Sequence, residues 1–97
     1  MAWSVKELPY LTQWKNTPPE LEGYVTGLEP GTNFPANRRV ERKYGRVPKL
    51  KAGESHTATI DFALHLDGGA VKSAADRIAK LQGDTKPVID TEPEPKD

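Results

Sequence analysis

The sequence predicts a mainly β, antiparallel chain with one C-terminal α-helix. Apolar and polar residues alternate in three segments, which is the period of a strand with one packed face. Turn residues such as Asn16-Thr17-Pro18-Pro19 and Pro30-Gly31 separate these segments. After Asp67-Gly68-Gly69 the apolar residues recur at helical spacing instead, which predicts the helix.

The first two predicted strands cover residues 8–15 and 22–29. In the first, one face carries Leu8, Tyr10, Thr12 and Trp14. The second ends at Glu29, directly before a predicted Pro-Gly turn. The third predicted strand, residues 55–66, has the clearest alternation, because Ile60, Phe62 and Leu64 all fall on one face. We expect that face to pack against a core.

Residues 32–49 show neither the two-residue period of a strand nor the spacing of a helix, and they are predicted to form a long ordered loop. Loops of this length are usually functional or disordered. The loop is basic, with Arg38, Arg39, Arg42, Lys43 and Arg46. It could be a solvated loop with local ion pairs. It could also clamp the anionic group of a phosphorylated, sulfonated or acidic sugar, because guanidinium binds such groups bidentately. Nucleic-acid binding is not expected, because 14 basic and 14 acidic residues cancel.

The helix is predicted over residues 70–82, with Gly83 placed to end it. Residues 84–97 are acidic and proline-rich and are predicted to be disordered. We therefore expect a β-rich segment over residues 1–66, a helical segment over 67–83 and a tail over 84–97.

The composition excludes several kinds of site. The chain has no cysteine, so disulfides and thiolate–zinc sites are absent. His56 and His65 lie nine residues apart on one predicted strand and therefore point to opposite faces, so no metal site is expected. No phosphate-binding loop appears, and we expect no cofactor. Without an apolar signal peptide or a run of about 20 apolar residues, a cytoplasmic chain without membrane contact is expected.

Several short motifs follow one another in an informative order: Gly27-Leu28-Glu29-Pro30, Asn33-Phe34-Pro35, and a Leu-x-x-Gly-Glu turn at 50–54 that opens the third strand. Over residues 8–65 this order resembles the C-terminal portion of the aldose 1-epimerase (galactose mutarotase-like) superfamily, and most closely its less characterised epimerase-like branch. The resemblance implies a partial antiparallel β-sandwich that binds a hexose or modified hexose in an open cleft.

The resemblance also implies a catalytic role for Glu29, which matches the glutamate that acts as general base in that superfamily. The base takes the proton of the anomeric hydroxyl while an acid protonates the ring oxygen, and the opened ring then closes on its other face. In that superfamily the acid is a histidine from strands further upstream. Seven residues precede Leu8 here, so we expect this histidine to be encoded elsewhere.

The candidate catalytic residue, Glu29, and the four candidate substrate-binding residues each have a structural alternative. Glu29 could be a solvated carboxylate at a strand end, or one paired with an arginine. The amides of Asn33 and Asn37 suit sugar hydroxyls, but asparagine beside proline or glycine is more often a turn residue. Trp14 could stack on a sugar ring or belong to the core. Arg38 is the fifth candidate, as part of the basic loop.

Two functional hypotheses follow. The first is a carbohydrate-binding fragment of an aldose 1-epimerase-like protein, associated with the interconversion of sugar anomers. The second is a non-catalytic β interaction module that assembles with itself, as a homo-oligomer, or with a larger epimerase chain. Open sheet edges would allow such pairing.

Overall fold

Two small antiparallel sheets and two α-helices form the regular structure of residues 1–91, the part that the computed structural model describes. Strand β1 (Ala2–Trp3) pairs with β4 (Ile60–Asp61), and β2 (Tyr10–Asn16) pairs with β3 (Val25–Gly31). Helix α1 spans Arg38–Lys43 and helix α2 spans Gly68–Gln82. A single 3₁₀ turn, Glu20–Glu22, lies between β2 and β3.

The β2–β3 ribbon confirms two antiparallel strands near the first two predicted positions. Strand β3 continues through Pro30 and Gly31, which pair with Leu11 and Tyr10, so the turn predicted there is wrong. Its register places Thr12 opposite Glu29 and Trp14 opposite Gly27. Side chains that are directly opposed in an antiparallel pair lie on the same face, so Thr12, Trp14 and Glu29 share one face of the ribbon. The chain reverses at the 3₁₀ turn, which ends at Gly23 in a left-handed conformation, with φ 84°, that glycine adopts without strain.

The third predicted strand, residues 55–66, is wrong over most of its length, because only Ile60–Asp61 is paired. The apolar side chains expected to pack are open to solvent: Phe62, Leu64 and Leu66 are 80 %, 84 % and 85 % exposed. A strand requires a neighbouring backbone for its hydrogen bonds, and within residues 1–91 this segment has one only at β1. The alternation of side chains could not reveal that requirement.

The predicted loop over residues 32–49 contains helix α1, which the sequence analysis did not predict. The Asn37 side chain accepts a hydrogen bond from the backbone N–H of Arg39 at 2.9 Å and so caps the first turn. The helix ends before Gly45, which is left-handed with φ 69°. The remainder of the loop is irregular, as expected.

The predicted C-terminal helix is confirmed and begins two residues earlier than expected, at Gly68. Asp67 caps it, since its Oδ1 accepts from the Ala70 N–H at 2.8 Å. Residues 84–91 contain no helix or strand. Disorder of the tail stays a prediction, and its residues 92–97 lie outside the described part of the chain. The three-part division at residues 66 and 83 also stays a prediction.

The expected β-sandwich is not present in residues 1–91. Each sheet has two strands, and more of these residues are in helices than in strands. The chain forms two compact units, Met1–Phe62 and the part from Ala63 onward. In the described residues Leu8 is the one buried apolar side chain, whereas Glu41 is completely buried and Arg46 nearly so. The best-buried part of the first unit is therefore a polar cluster.

Candidate functional site

An open cleft of about 210 Å³ lies where the β2–β3 ribbon meets the segment that follows β3. Two strand residues, Thr12 and Glu29, face each other across the ribbon and contribute to its lining. The complete lining is Thr12, Glu29, Pro30, Gly31, Asn33, Phe34 and Pro35. Three polar side chains therefore face one short apolar wall.

Glu29 presents an exposed carboxylate to this cleft. Among the described residues it has no hydrogen bond or ion pair, so it is not held by the arginines of the following loop. An exposed carboxylate without a partner can accept hydrogen bonds, or a proton, from a bound molecule.

Asn33 is held in a fixed orientation beside Glu29. Its Oδ1 accepts from Arg38 Nη1 at 3.2 Å and from the Thr32 hydroxyl at 3.4 Å. Its Nδ2 donates to the Phe34 carbonyl at 2.6 Å. A side-chain amide carries two N–H donors, so one donor remains for a ligand.

The structure brings together some of the predicted site residues and separates others. Glu29 and Asn33 line the cleft, and Arg38 contacts it through the Asn33 amide. Trp14 is 51 % exposed on the ribbon face that carries Glu29, although it does not line the cleft itself. Asn37 serves as the cap of α1 and lies outside the lining.

The basic loop does not act as one cluster, because Arg46 is withdrawn from it. Arg46 donates from Nε and Nη2 to the two carboxylate oxygens of Glu41, both at 2.7 Å. Its guanidinium also lies over two aromatic rings, 4.5 Å from the Tyr44 centroid and 5.1 Å from that of Phe34. An anion clamp that uses all five basic residues is therefore excluded.

Glu41 is the important residue that the sequence analysis missed. Besides the two bonds from Arg46, its carboxylate accepts from the Phe34 N–H at 3.1 Å, which fixes a wall of the cleft to α1. The hydrogen bonds from Arg46 are the main cause that lowers the pKa of Glu41, with help from the Phe34 N–H and the charges of Arg46 and Arg38; burial opposes them. Glu41 is therefore an ionised structural carboxylate. A glutamate five residues before an arginine, between two aromatic residues, was the available signal.

Neither histidine lies in the cleft. His56 contacts the Glu7 carbonyl through Nε2 at 3.0 Å, and His65 belongs to the unit that starts at Ala63. In residues 1–91 no three acidic or histidine side chains are grouped closely enough to hold a metal ion. The same residues contain no helix with the length and apolar content needed to cross a bilayer.

A protein-family model with the description "Domain of unknown function (DUF4432)" matches residues 1–64, about two-thirds of the 97-residue chain. The chain belongs to the DUF4432 family. The DUF4432 segment contains both sheets, α1 and every residue that lines the cleft. No curated protein and no solved structure matches the chain. Membership of DUF4432 carries no assigned activity, so the function has to be argued from the cleft.

Proposed function

We propose that this DUF4432 chain is a cytoplasmic carbohydrate-binding fragment of an aldose 1-epimerase-like protein, associated with the interconversion of sugar anomers. The observation that carries the proposal is the unpaired Glu29 carboxylate, exposed beside the fixed Asn33 amide in an open cleft. In this proposal Glu29 acts as the general base, and Asn33 forms a hydrogen bond with the sugar.

The cleft chemistry suits sugar hydroxyls, which donate and accept hydrogen bonds at once. Glu29 supplies an acceptor, the free N–H of Asn33 a donor, and the Thr12 hydroxyl can do either. Phe34 adds an apolar wall of the kind that ligand sites use for packing. With a modified hexose, Arg38 is the candidate cation for an anionic substituent, because it already contacts Asn33 in the cleft lining.

The size of the cleft indicates that it is one part of a site. Its 210 Å³ is below the roughly 300–1,000 Å³ of typical ligand pockets. A hexose would therefore extend beyond the cleft, along the ribbon face that carries Trp14. Asn37 has a weaker claim to contact the sugar, since its side chain already caps α1.

Anomer interconversion also needs a proton donor for the ring oxygen. Among the seven lining residues, all of them described, Glu29 is the one with an acidic side chain, and this proposal already uses it as the base. We propose that the acid comes from outside this cleft, on further strands that complete a mutarotase-like sandwich with the ribbon.

The enzymatic part is tested by the decay of optical rotation of a fresh α-aldose. If assembly with another chain supplies the missing acid, the protein should accelerate that decay, and Glu29→Gln should abolish the acceleration, because glutamine cannot take the proton. Glu22→Gln, an exposed carboxylate in the 3₁₀ turn, is the matched control and should remain active. If the decay of optical rotation is not accelerated for any hexose or hexose phosphate, the chain alone is not an epimerase.

The second candidate, a non-catalytic β interaction module, is favoured by a separate observation. Large apolar side chains are exposed on the ribbon, including Leu11 and Leu28, and on the irregular segment after β4, including Phe62 and Leu64. Exposed apolar side chains beside unpaired strand edges are typical of surfaces that add another strand. A second copy of the chain or a larger epimerase chain would supply it.

Sedimentation tests this module directly. Assembly predicts a mass above the 10.7 kDa of one chain, and Phe62→Ser with Leu64→Ser should return it to that value. Leu81→Ser, an equally exposed position on α2, is the control. A well-folded wild-type monomer that also fails to pair with an epimerase chain contradicts the module.

A further inference from the structure

Gly27 leaves open the space in which the Glu29 carboxylate lies. Residues 27 and 29 are two apart on β3, so they are on the same face of the ribbon. A Cβ atom at position 27 would lie 2.9 Å from Glu29 Oε1 and 3.7 Å from both Cδ and Cγ. The carboxylate therefore folds back along the strand, over the position where any other residue would carry a side chain.

The strand register places this carboxylate next to the position of Trp14. Trp14 pairs with Gly27, and Thr12 pairs with Glu29, all on one face. Opposed Cβ positions in an antiparallel pair lie about 4.5–5.5 Å apart. A carboxylate that lies over Gly27 is therefore adjacent to the Cβ atom of Trp14. Trp14 is half exposed and available to a ligand.

We propose that Gly27 is a positioning residue, which keeps the Glu29 carboxylate beside Trp14 so that a sugar ring stacked on Trp14 meets that carboxylate. The ligand site then continues from the cleft, across Gly27, to Trp14. This inference rests on the proposed carbohydrate function and adds one residue to it, Gly27, which positions the base beside the Trp14 ring that the proposed function already uses.

The backbone does not require glycine at position 27. The glycines with positive φ are Gly23, Gly45, Gly53 and Gly83, and Gly27 is not one of them. Glycine inside a strand weakens it, because it adds conformational entropy to the unfolded chain and packs no side chain. The atom that a new Cβ would meet is the end of a flexible side chain, so alanine should displace the carboxylate and leave the strand in place.

The test compares Gly27→Ala with the wild type in stability and in sugar binding. We expect an unchanged or higher melting temperature, together with an affinity for hexose that falls at least about tenfold, the equivalent of one charge-assisted hydrogen bond. Gly68→Ala is the control, since its Cβ would meet nothing within 4 Å and its φ is not positive. Combining Gly27→Ala with Glu29→Gln should cause no further loss beyond the single variants.

A second readout needs no sugar. Glu29→Gln should shift the indole NMR signals of Trp14 in the wild-type background and leave them nearly unchanged in the Gly27→Ala background. Equal shifts in both backgrounds, or none in the wild type, overturn the inference. Wild-type binding that Gly27→Ala leaves intact overturns it too, while the proposed function stands. Failure of the wild type to bind any hexose instead overturns the proposed function, and the indole signals still decide the role of Gly27.

Discussion

Two glutamates of the same segment have opposite environments. Glu29 is exposed and has no partner among the described residues, so its carboxylate is available to a ligand. Glu41 is fully buried and accepts three hydrogen bonds, two of them from Arg46. Glu29 is therefore suited to contact a ligand, whereas Glu41 stabilises the fold.

Replacing Glu41 by glutamine should destabilise the first unit strongly. Glutamine keeps the shape but removes the charge, and the nearly buried Arg46 then lacks its counter-charge. We expect a clear fall in the melting temperature. Glu22→Gln, which is exposed, should leave that temperature within measurement error. An unchanged melting temperature for Glu41→Gln contradicts this role.

The same carboxylate predicts an acid-sensitive fold. The pKa of Glu41 is lowered from its usual 4.5, first by the hydrogen bonds from Arg46, so its stabilising contribution is fully present above about pH 4.5. That contribution is lost as pH falls further, through the lowered pKa of the folded state. Melting curves from pH 7 to pH 2 should therefore show a steeper acid loss for the wild type than for Glu41→Gln. Parallel pH profiles would contradict the assignment.

At the scale of elements, the sequence predicted what depends on neighbouring residues. Strands β2 and β3 carry the period of two, and β2 ends at Asn16, where the predicted break begins, whereas β3 continues to Gly31, through the predicted turn. Helix α2 has the apolar stripe that predicts it and ends before Gly83, as expected, whereas its N-cap, Asp67, was not predicted. The cleft was predictable to the extent that Glu29 and Asn33 stand four residues apart, at and just beyond the end of β3.

The features that depend on where particular side chains point, or on pairing between distant segments, were missed. Helix α1 has six residues, too few to be stable by propensity, and the buried Glu41–Arg46 pair holds it. The pairing of β1 with β4 joins residues almost 60 positions apart. The role of Gly27 was equally hidden, because it depends on where the Glu29 side chain turns.

Helix α1 should be sensitive to its cap. Asn37→Ala removes the acceptor for the Arg39 N–H and should cost about 0.5–2 kcal/mol of unfolding free energy, whereas Asn37→Asp, which keeps an acceptor, should cost little. Denaturant unfolding measures both variants, and hydrogen exchange at Arg39 localises the effect. Equal losses for alanine and aspartate would show that the cap is not what Asn37 provides.

At the scale of the whole molecule, the first unit is held by polar contacts more than by an apolar core. Leu8 is the one buried apolar side chain of the described residues, and its carbonyl accepts from the Trp3 indole at 2.9 Å. Ring contacts add to this, with Tyr10 and Phe34 centroids 4.6 Å apart. Large apolar side chains are exposed on the DUF4432 segment. The further strands of the proposed sandwich would cover them.

The most direct test of the central claim is an NMR titration of the ¹⁵N-labelled chain with hexoses and hexose phosphates. We predict saturable shifts of the Asn33 side-chain amide and the Glu29 backbone amide, lost in Glu29→Gln and kept in Glu22→Gln. A phosphate on the sugar should add a shift at Arg38. Absence of saturable shifts at these positions, or the same shifts in Glu29→Gln, would contradict a sugar site built on Glu29.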